Sequence, residues 1–244
     1  MREDILQASR LIREAHLVVA LTGAGISVES GIPPFRGKGG LWERLDPMEF
    51  AHIDAFLRNP ARVWDILVRE MKDIVDRALP NSAHLALARL EKMGDLAAVI
   101  TQNIDGLHQA AGNRDVIEFH GSFARQRCMK CGKIVPTHLV SLKSLPPRCE
   151  CGGILRPDCV FFGEAIPLEA LTRSQELSSN CDVMLVIGTS AEVQPAASMP
   201  RIAKYAGARI IEINTEPTPL TASYSDLWLK GRAGEVLESL LSSL

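Results

Sequence analysis

The chain has 244 residues, a formal net charge of −2 and a hydrophobic fraction of 46%. That length allows one or two domains and a sizeable core. The near-balanced charge gives no strong general pull on nucleic acid or anionic membrane, and no run of about 18 apolar residues is present to span a bilayer.

The start, Met1-Arg2-Glu3-Asp4-Ile5-Leu6-Gln7, is charged and helix-like and lacks the basic start and apolar stretch of a signal peptide. A cytoplasmic protein is expected, whose six cysteines are thiols or metal ligands rather than a disulfide framework. Apolar positions Ile5, Leu6, Ala8, Leu11, Ile12 and Ala15 predict an amphipathic helix over 3–15. Leu17-Val18-Val19-Ala20-Leu21 then reads as a buried parallel strand. It runs into Thr22-Gly23-Ala24-Gly25-Ile26-Ser27, a glycine turn with Ser27 and Glu29 suited to a helix start. A strand, a glycine turn and a helix start make a seat for a phosphate or pyrophosphate, and Arg36 adds a cation. The common dehydrogenase fingerprint needs a third glycine where Val28 stands, so that reading is not supported. A tight turn that binds nothing is the alternative.

Residues 38–80 predict a helical insertion. Asp46-Pro47 and Asn59-Pro60 each place a capping residue before a proline at the first helical position, and the pattern from Pro60 to Ala78 is helical. A βα rhythm then resumes: a helix over 82–93, strands at Ala97–Ile100 and Val116–Phe119, and a strong buried strand at Asp182–Ile187. A helix over 195–206, strands at Ala208–Ile213 and Asp226–Leu229, and a closing helix from Ala233 to Leu244 follow. Strands alternating with helices imply an α/β fold, a parallel sheet with helices on both faces. Polar clusters follow the strands at 22–27, 101–105, 120–121, 188–190 and 214. In open α/β sheets that edge binds ligands. Strand ends are commonly polar, but that accounts poorly for His120 and for Asn103 with Asp105.

Cys128-Met129-Lys130-Cys131-Gly132 and Cys149-Glu150-Cys151-Gly152-Gly153, separated by 17 residues, match a structural four-thiolate zinc site. The second pair is one residue tighter than usual. Cys159 is a substitute ligand in principle but lies in the apolar run Cys159-Val160-Phe161-Phe162, and a redox dithiol is the alternative to zinc.

The joint pattern resembles the sirtuins, NAD-dependent protein lysine deacylases, in their prokaryotic-type catalytic core. The resemblance rests on Gly23-Ala24-Gly25-Ile26-Ser27, Gly31-Ile32-Pro33, Phe35-Arg36-Gly37, Thr101-Gln102-Asn103-Ile104-Asp105, His120-Gly121 and both cysteine pairs. It continues through Phe162-Gly163-Glu164, Gly188-Thr189-Ser190, Pro195-Ala196-Ala197 and Asn214, so that it covers nearly the whole chain. It implies a Rossmann-like NAD-binding domain (1–36, 81–124 and 159–244) and a small domain made of a helical insertion (37–80) and a zinc module (125–158). NAD and an acylated lysine of a protein or peptide would meet in the cleft between them, one structural zinc ion would be bound, and a monomer without nucleic-acid or membrane partners is expected. The acyl oxygen would attack the ribose carbon as nicotinamide leaves, and the acyl group would end on ADP-ribose.

Carried over by resemblance, His120 is the general base on a ribose hydroxyl and Asn103 a catalytic group holding ribose hydroxyls or an ordered water. Gly23, Ala24, Gly25, Phe35, Arg36, Gln102, Ile104, Asp105, Gly188, Thr189, Ser190, Asn214 and Ala233 complete the cofactor contacts. Within them, Phe35 shields the ribose, Asp105 meets the nicotinamide carboxamide and Asn214 the adenosine ribose. Val160 and Phe161 resemble the strand segment that pairs with the substrate peptide. Family members that remove succinyl or malonyl groups carry a Tyr and an Arg three apart in the helical insertion. Here those places hold Leu67 and Glu70, so neutral acyl groups are expected. Arg69 is adjacent but about 100° away on a helix. Pro34 replaces the usual Thr or Asp of the loop. Protein mono-ADP-ribosyl transfer and a non-catalytic NAD- or ADP-ribose-sensing module are the competing functions.

Overall fold

Six of the apolar runs pair edge to edge, and the inner ones, aliphatic and buried on both faces, have helices to cover them on each side. A computed structural model describes residues 2–34 and 39–244. Its strands are β1 (Val18–Thr22), β2 (Ala98–Thr101), β3 (Val116–Glu118), β4 (Gly121–Cys128), β5 (Ile134–Pro136), β6 (Leu155–Cys159), β7 (Val183–Ile187), β8 (Arg209–Asn214) and β9 (Leu227–Lys230). Its helices are α1 (Arg2–Glu14), α2 (Pro47–Phe50), α3 (Ile53–Arg58), α4 (Pro60–Leu67), α5 (Asp73–Arg77), α6 (Ser82–Met93), α7 (Leu107–Ala111), α8 (Leu168–Asn180), α9 (Met199–Tyr205), α10 (Pro219–Ser223) and α11 (Ala233–Leu241).

Six strands form a parallel sheet in the order β3-β2-β1-β7-β8-β9. The alternation along β1 divides the core. Val18 and Ala20 pack with α1, α6 and α11, whereas Val19 and Leu21 face the side that holds Met199 and Ala203 of α9. The order reverses between β1 and β7, and the loops leaving those two strands border the crevice where such sheets take ligands.

A second sheet, β5-β4-β6, is three-stranded and antiparallel, with an irregularity in the β4–β6 pairing between Ser122 and Gln126. The helical insertion has its own core of Leu41, Phe50, Phe56, Val63, Trp64 and Leu67, shared with Phe161. Trp64 Nε1 donates to Leu155 O at 2.8 Å, tying α4 to β6. Asp46 and Asn59 cap α2 and α4 as expected from their prolines.

Three local expectations change. The single helix predicted from Pro60 to Ala78 is interrupted by a π-turn, Val68–Lys72. Ser27 sits inside a 3-10 helix (Ala24–Ser30) rather than at its start, and Gly23 is the capping position. Val160 and Phe161 are irregular backbone just beyond β6, and only Phe162 makes a bridge, to His52.

Candidate active site

The crevice at the β1/β7 reversal opens into a cavity of about 980 Å³ that runs toward the helical insertion. Gly23, Ala24 and Gly25 line it from β1, and Gly188, Thr189 and Ser190 from β7. The glycines are there for close approach. A Cβ on Gly25 would lie 2.6 Å from the Gly188 Cα, and one on Gly188, at φ +60°, 2.4 Å from the Ile26 nitrogen. Gly23 N donates to Ile187 O at 3.0 Å and Gly25 N to Gly188 O at 2.8 Å. Two of the three amides expected to face a pyrophosphate therefore bond the neighbouring strand end. Among the described residues only the Ala24 amide of this turn has no protein acceptor.

Glu29 also has a different task from the helix-start role read in the sequence. Its Oε2 accepts from Gly234 N at 3.0 Å, so the carboxylate sits at the N-terminus of α11 and takes up one of its first amides.

Below the cavity, the segment after β2 is held by a closed polar network. Asn103 Nδ2 donates to Gly23 O and to Ser27 Oγ, both at 3.1 Å. Ser27 Oγ donates to Asp105 Oδ2 at 2.7 Å, while Asp105 Oδ1 caps α7 by accepting from Leu107 N at 2.9 Å. Since the Ser27 proton goes to the carboxylate, His84 Nε2 is the donor in its 3.5 Å contact with Ser27. A second chain runs from His108 Nε2 to Thr22 Oγ1 at 2.9 Å, on to Thr101 Oγ1 at 2.9 Å, which also accepts from Asn103 N at 3.1 Å. Burial lowers His84 to about 4 against the opposing charge of Asp105, and lowers His108 to about 3, with His84 adding to the shift. Both rings are neutral near pH 7.

Gln102, Asn103 and Ile104 reach the cavity wall, but Asp105 does not. Its two oxygens each accept one hydrogen bond beneath the wall, from Ser27 Oγ and Leu107 N, which leaves each a further lone pair.

His120 follows β3 and lines the cavity. Its Nδ1 is 3.0 Å from Gln102 O. A carbonyl only accepts, so Nδ1 carries the proton and Nε2 keeps a lone pair. Burial pushes the His120 pKa below the ordinary imidazole value despite the opposing effect of the Gln102 bond. This is a neutral base at physiological pH.

The far wall is Val160, Phe161 and Phe162 with Leu67 and Met71. Val160 N donates to His120 O at 2.9 Å, joining this wall to His120. Arg156 makes a bidentate pair with Glu164, both contacts 2.6 Å, and donates to Cys159 O at 2.7 Å. Glu164 Oε2 accepts from Phe161 N, so the ion pair shapes the segment by bonding its backbone. Leu67 is buried and faces the cavity, but Glu70 does not line it. Glu70 pairs with Arg44 at 3.4 Å instead, because the π-turn adds a residue to this turn of helix and brings Met71 to the wall. Phe35 and Arg36, expected cofactor contacts, lie outside the described residues.

The Sir2 family sequence profile matches residues 23–195. The chain belongs to the Sir2 family. It is 51% identical over 242 residues to NAD-dependent protein deacylase 2 of Pyrobaculum aerophilum, covering 99% of this chain and 94% of that one. It superposes with a TM-score of 0.93 on a Sir2 homologue variant in complex with ADP-ribose, at 45% identity and 97% and 95% coverage. A Sir2 variant with a deacetylated p53 peptide and 3′-O-acetyl ADP-ribose gives a TM-score of 0.91 at 37% identity, with 97% and 96% coverage.

The zinc cysteines of this Sir2-family chain also converge. The four Sγ atoms of Cys128, Cys131, Cys149 and Cys151 lie within 4.8 Å of one another, with Cys128–Cys151 at 3.5 Å and Cys131–Cys149 at 3.9 Å. Zn–S bonds of about 2.3 Å in a tetrahedron need sulfurs about 3.8 Å apart, so the set fits one zinc ion. No disulfide is formed, and the tight Cys149-Glu150-Cys151 spacing closes the site without Cys159. Burial raises Cys159 to about 12 and Cys181 to about 12, marking both as unreactive thiols.

Sequence reading missed several Sir2 cavity residues: Trp42, Phe50, Met71 and Phe123 around the insertion, and Glu216 and Arg232 at the β8 and β9 ends. The last two follow strands, a signal available in the pattern. The others depend on how the insertion folds back.

Proposed function

We propose that this chain removes acetyl and other neutral acyl groups from protein lysines with NAD as co-substrate, yielding nicotinamide, O-acyl-ADP-ribose and free lysine. The observation that carries the reading is His120: neutral, fixed through Nδ1 by Gln102 O, with Nε2 available at a cavity wall joined to the substrate segment through Val160. In this reading Nε2 takes the proton of a ribose hydroxyl as that oxygen attacks the acyl carbon. Gln102, Asn103, Ser190, Asn214 and Ala233 hold the dinucleotide over the floor made by Gly23–Gly25. NAD, when bound, supplies the ribose that loses nicotinamide and receives the acyl group, one water completing the balance.

An acylated peptide lies along Val160–Gly163. Among the described residues the Val160 oxygen accepts no hydrogen bond and so is available to a peptide N–H. The cleft separates a Rossmann-like domain (1–36, 81–124, 159–244) from a small domain (37–80, 125–158), and one chain acts as a monomer. The wall of Leu67 and Met71 favours neutral acyl groups, since among the described residues no cation lines the cavity beside them.

Acetyl-, butyryl- and succinyl-lysine peptides incubated with NAD test this by mass spectrometry. Deacylated peptide, nicotinamide and O-acyl-ADP-ribose are expected, with acetyl and butyryl favoured over succinyl. A modified acceptor protein without free lysine would support ADP-ribosyl transfer, and absence of nicotinamide release would remove both enzymatic readings.

A further inference from the structure

Met71 belongs to two spaces. On one side it lines the main cavity beside Leu67. On the other it lines a separate pocket of about 20 Å³ with Ile32, Pro33, Leu41, Ile74 and Val75. That pocket is lined almost entirely by apolar side chains, which suit an aliphatic chain better than a polar one. Among the described residues its one polar wall is Glu70, already paired with Arg44 at 3.4 Å. Met71 reaches this position through the π-turn Val68–Lys72, a distortion of the kind that recurs at functional sites. A methionine side chain is unbranched and has three rotatable bonds, so it moves between rotamers more readily than the branched leucine beside it.

We propose that Met71 is a movable partition that sets the longest acyl chain this enzyme accepts. Short acyl groups stay in the main cavity against Leu67. A medium-length aliphatic chain displaces the Met71 side chain and continues into the apolar pocket behind it. A chain ending in a carboxylate is disfavoured there, because Glu70 forms part of that pocket's wall. This rests on the deacylase reading above and adds the residue that decides chain length.

The test is the ratio of kcat/KM for octanoyl- over acetyl-lysine peptide, measured with NAD by mass spectrometry on wild type, Met71→Ala, Met71→Leu and Met71→Trp. Merging the two spaces in Met71→Ala should raise the ratio about fivefold or more, and the bulk of Met71→Trp should lower it about as much. Met71→Leu, similar in volume, should stay within about twofold of wild type. A ratio within about twofold of wild type in both Met71→Ala and Met71→Trp overturns the partition. If Met71→Trp does not fold, an unchanged ratio in Met71→Ala overturns it alone. A wild-type enzyme that releases no acyl group of any length would instead overturn the deacylase reading, so the two failures are distinct.

Discussion

The hydroxyl of Ser27 donates to Asp105 Oδ2 at 2.7 Å, linking the glycine turn after β1 to the segment after β2. The same oxygen accepts from Asn103 Nδ2 at 3.1 Å, so one serine orients both polar groups. Ser27→Ala leaves the Asn103 amide with one acceptor fewer and Asp105 with one donor fewer. A buried polar group left unsatisfied costs about 1–3 kcal/mol. We expect Ser27→Ala to lower kcat/KM by more than about tenfold, and Ser27→Thr to recover part of it. Steady-state kinetics with thermal unfolding as a control checks this. Equal activity in Ser27→Ala would show that the link orients nothing essential.

Acid should inactivate through His120. Burial holds its pKa below 6.5, so the neutral base persists as pH falls past the ordinary histidine range. The acid limb of kcat/KM is expected below pH 6.5, and His120→Ala should abolish turnover while the protein stays folded. A limb centred above that value would contradict the neutral, Gln102-held ring.

Stability should also fall with acid, for a separate reason. His84 and His108 titrate at 6.5 when unfolded but at about 4 and about 3 when folded. Between those values the unfolded chain binds more protons, so folding free energy decreases as pH drops from 6.5. Glu164 adds to the loss at lower pH: burial would raise its pKa, but Arg156 and the Phe161 amide hold it below 4.5. That contribution is present above 4.5 and disappears as pH falls through the depressed value. Urea unfolding at pH 7.5 and pH 5, compared with the same pair in His108→Gln, should show a smaller pH dependence in the variant, by on the order of 1 kcal/mol or more.

Removing zinc should cost activity even though the metal is not part of the chemistry. β4 begins at Gly121, next to His120, and ends at Cys128, while β6 ends at Cys159, next to Val160. Loss of the metal frees both strands at the end remote from the base. A chelator should release one zinc per chain, loosen the three-stranded sheet and abolish deacylation together, since binding to such sites is folding free energy of about 10–16 kcal/mol. Metal release followed by circular dichroism and activity on one sample checks this, and retained activity in fully zinc-free protein would contradict it.

Gly25→Ala should destabilise by about 1–3 kcal/mol or more, because the new methyl meets the Gly188 backbone at 2.6 Å. Gly94→Ala is the comparison. Gly94 has nothing within 4 Å and only its φ of +89° to strain. Thermal denaturation should place Gly25→Ala well below Gly94→Ala.

The parallel sheet was legible because its signals are local. Buried runs such as Val183–Ile187 need no distant partner to be seen, and Asp46-Pro47 and Asn59-Pro60 cap helices through atoms two or three residues away. The site was legible to the same extent: Gln102, Asn103, His120, Ser190 and Asn214 follow strands, and a parallel sheet gathers strand ends along one edge. The cysteine pairs were legible from spacing alone.

What pattern could not reveal depends on segments far apart in the chain. Glu29 looks like a first-turn acid, yet it caps a helix 205 residues away. Glu70 occupies the place where a charge would be counted, but the π-turn and Arg44 draw it off and Met71 takes the wall. Gly23 and Gly25 spend their amides on the end of β7, and Asp105 is tied beneath the cavity to Ser27 and to the start of α7. Sequence by itself determined which residues could form the sheet edge and the zinc site, because those follow from local periodicity and cysteine spacing, whereas His120 was singled out as a base by the family resemblance. Only tertiary structure decided which of their atoms remain open to a ligand, because each hydrogen-bonding group is claimed by whatever the fold brings within about 3 Å of it.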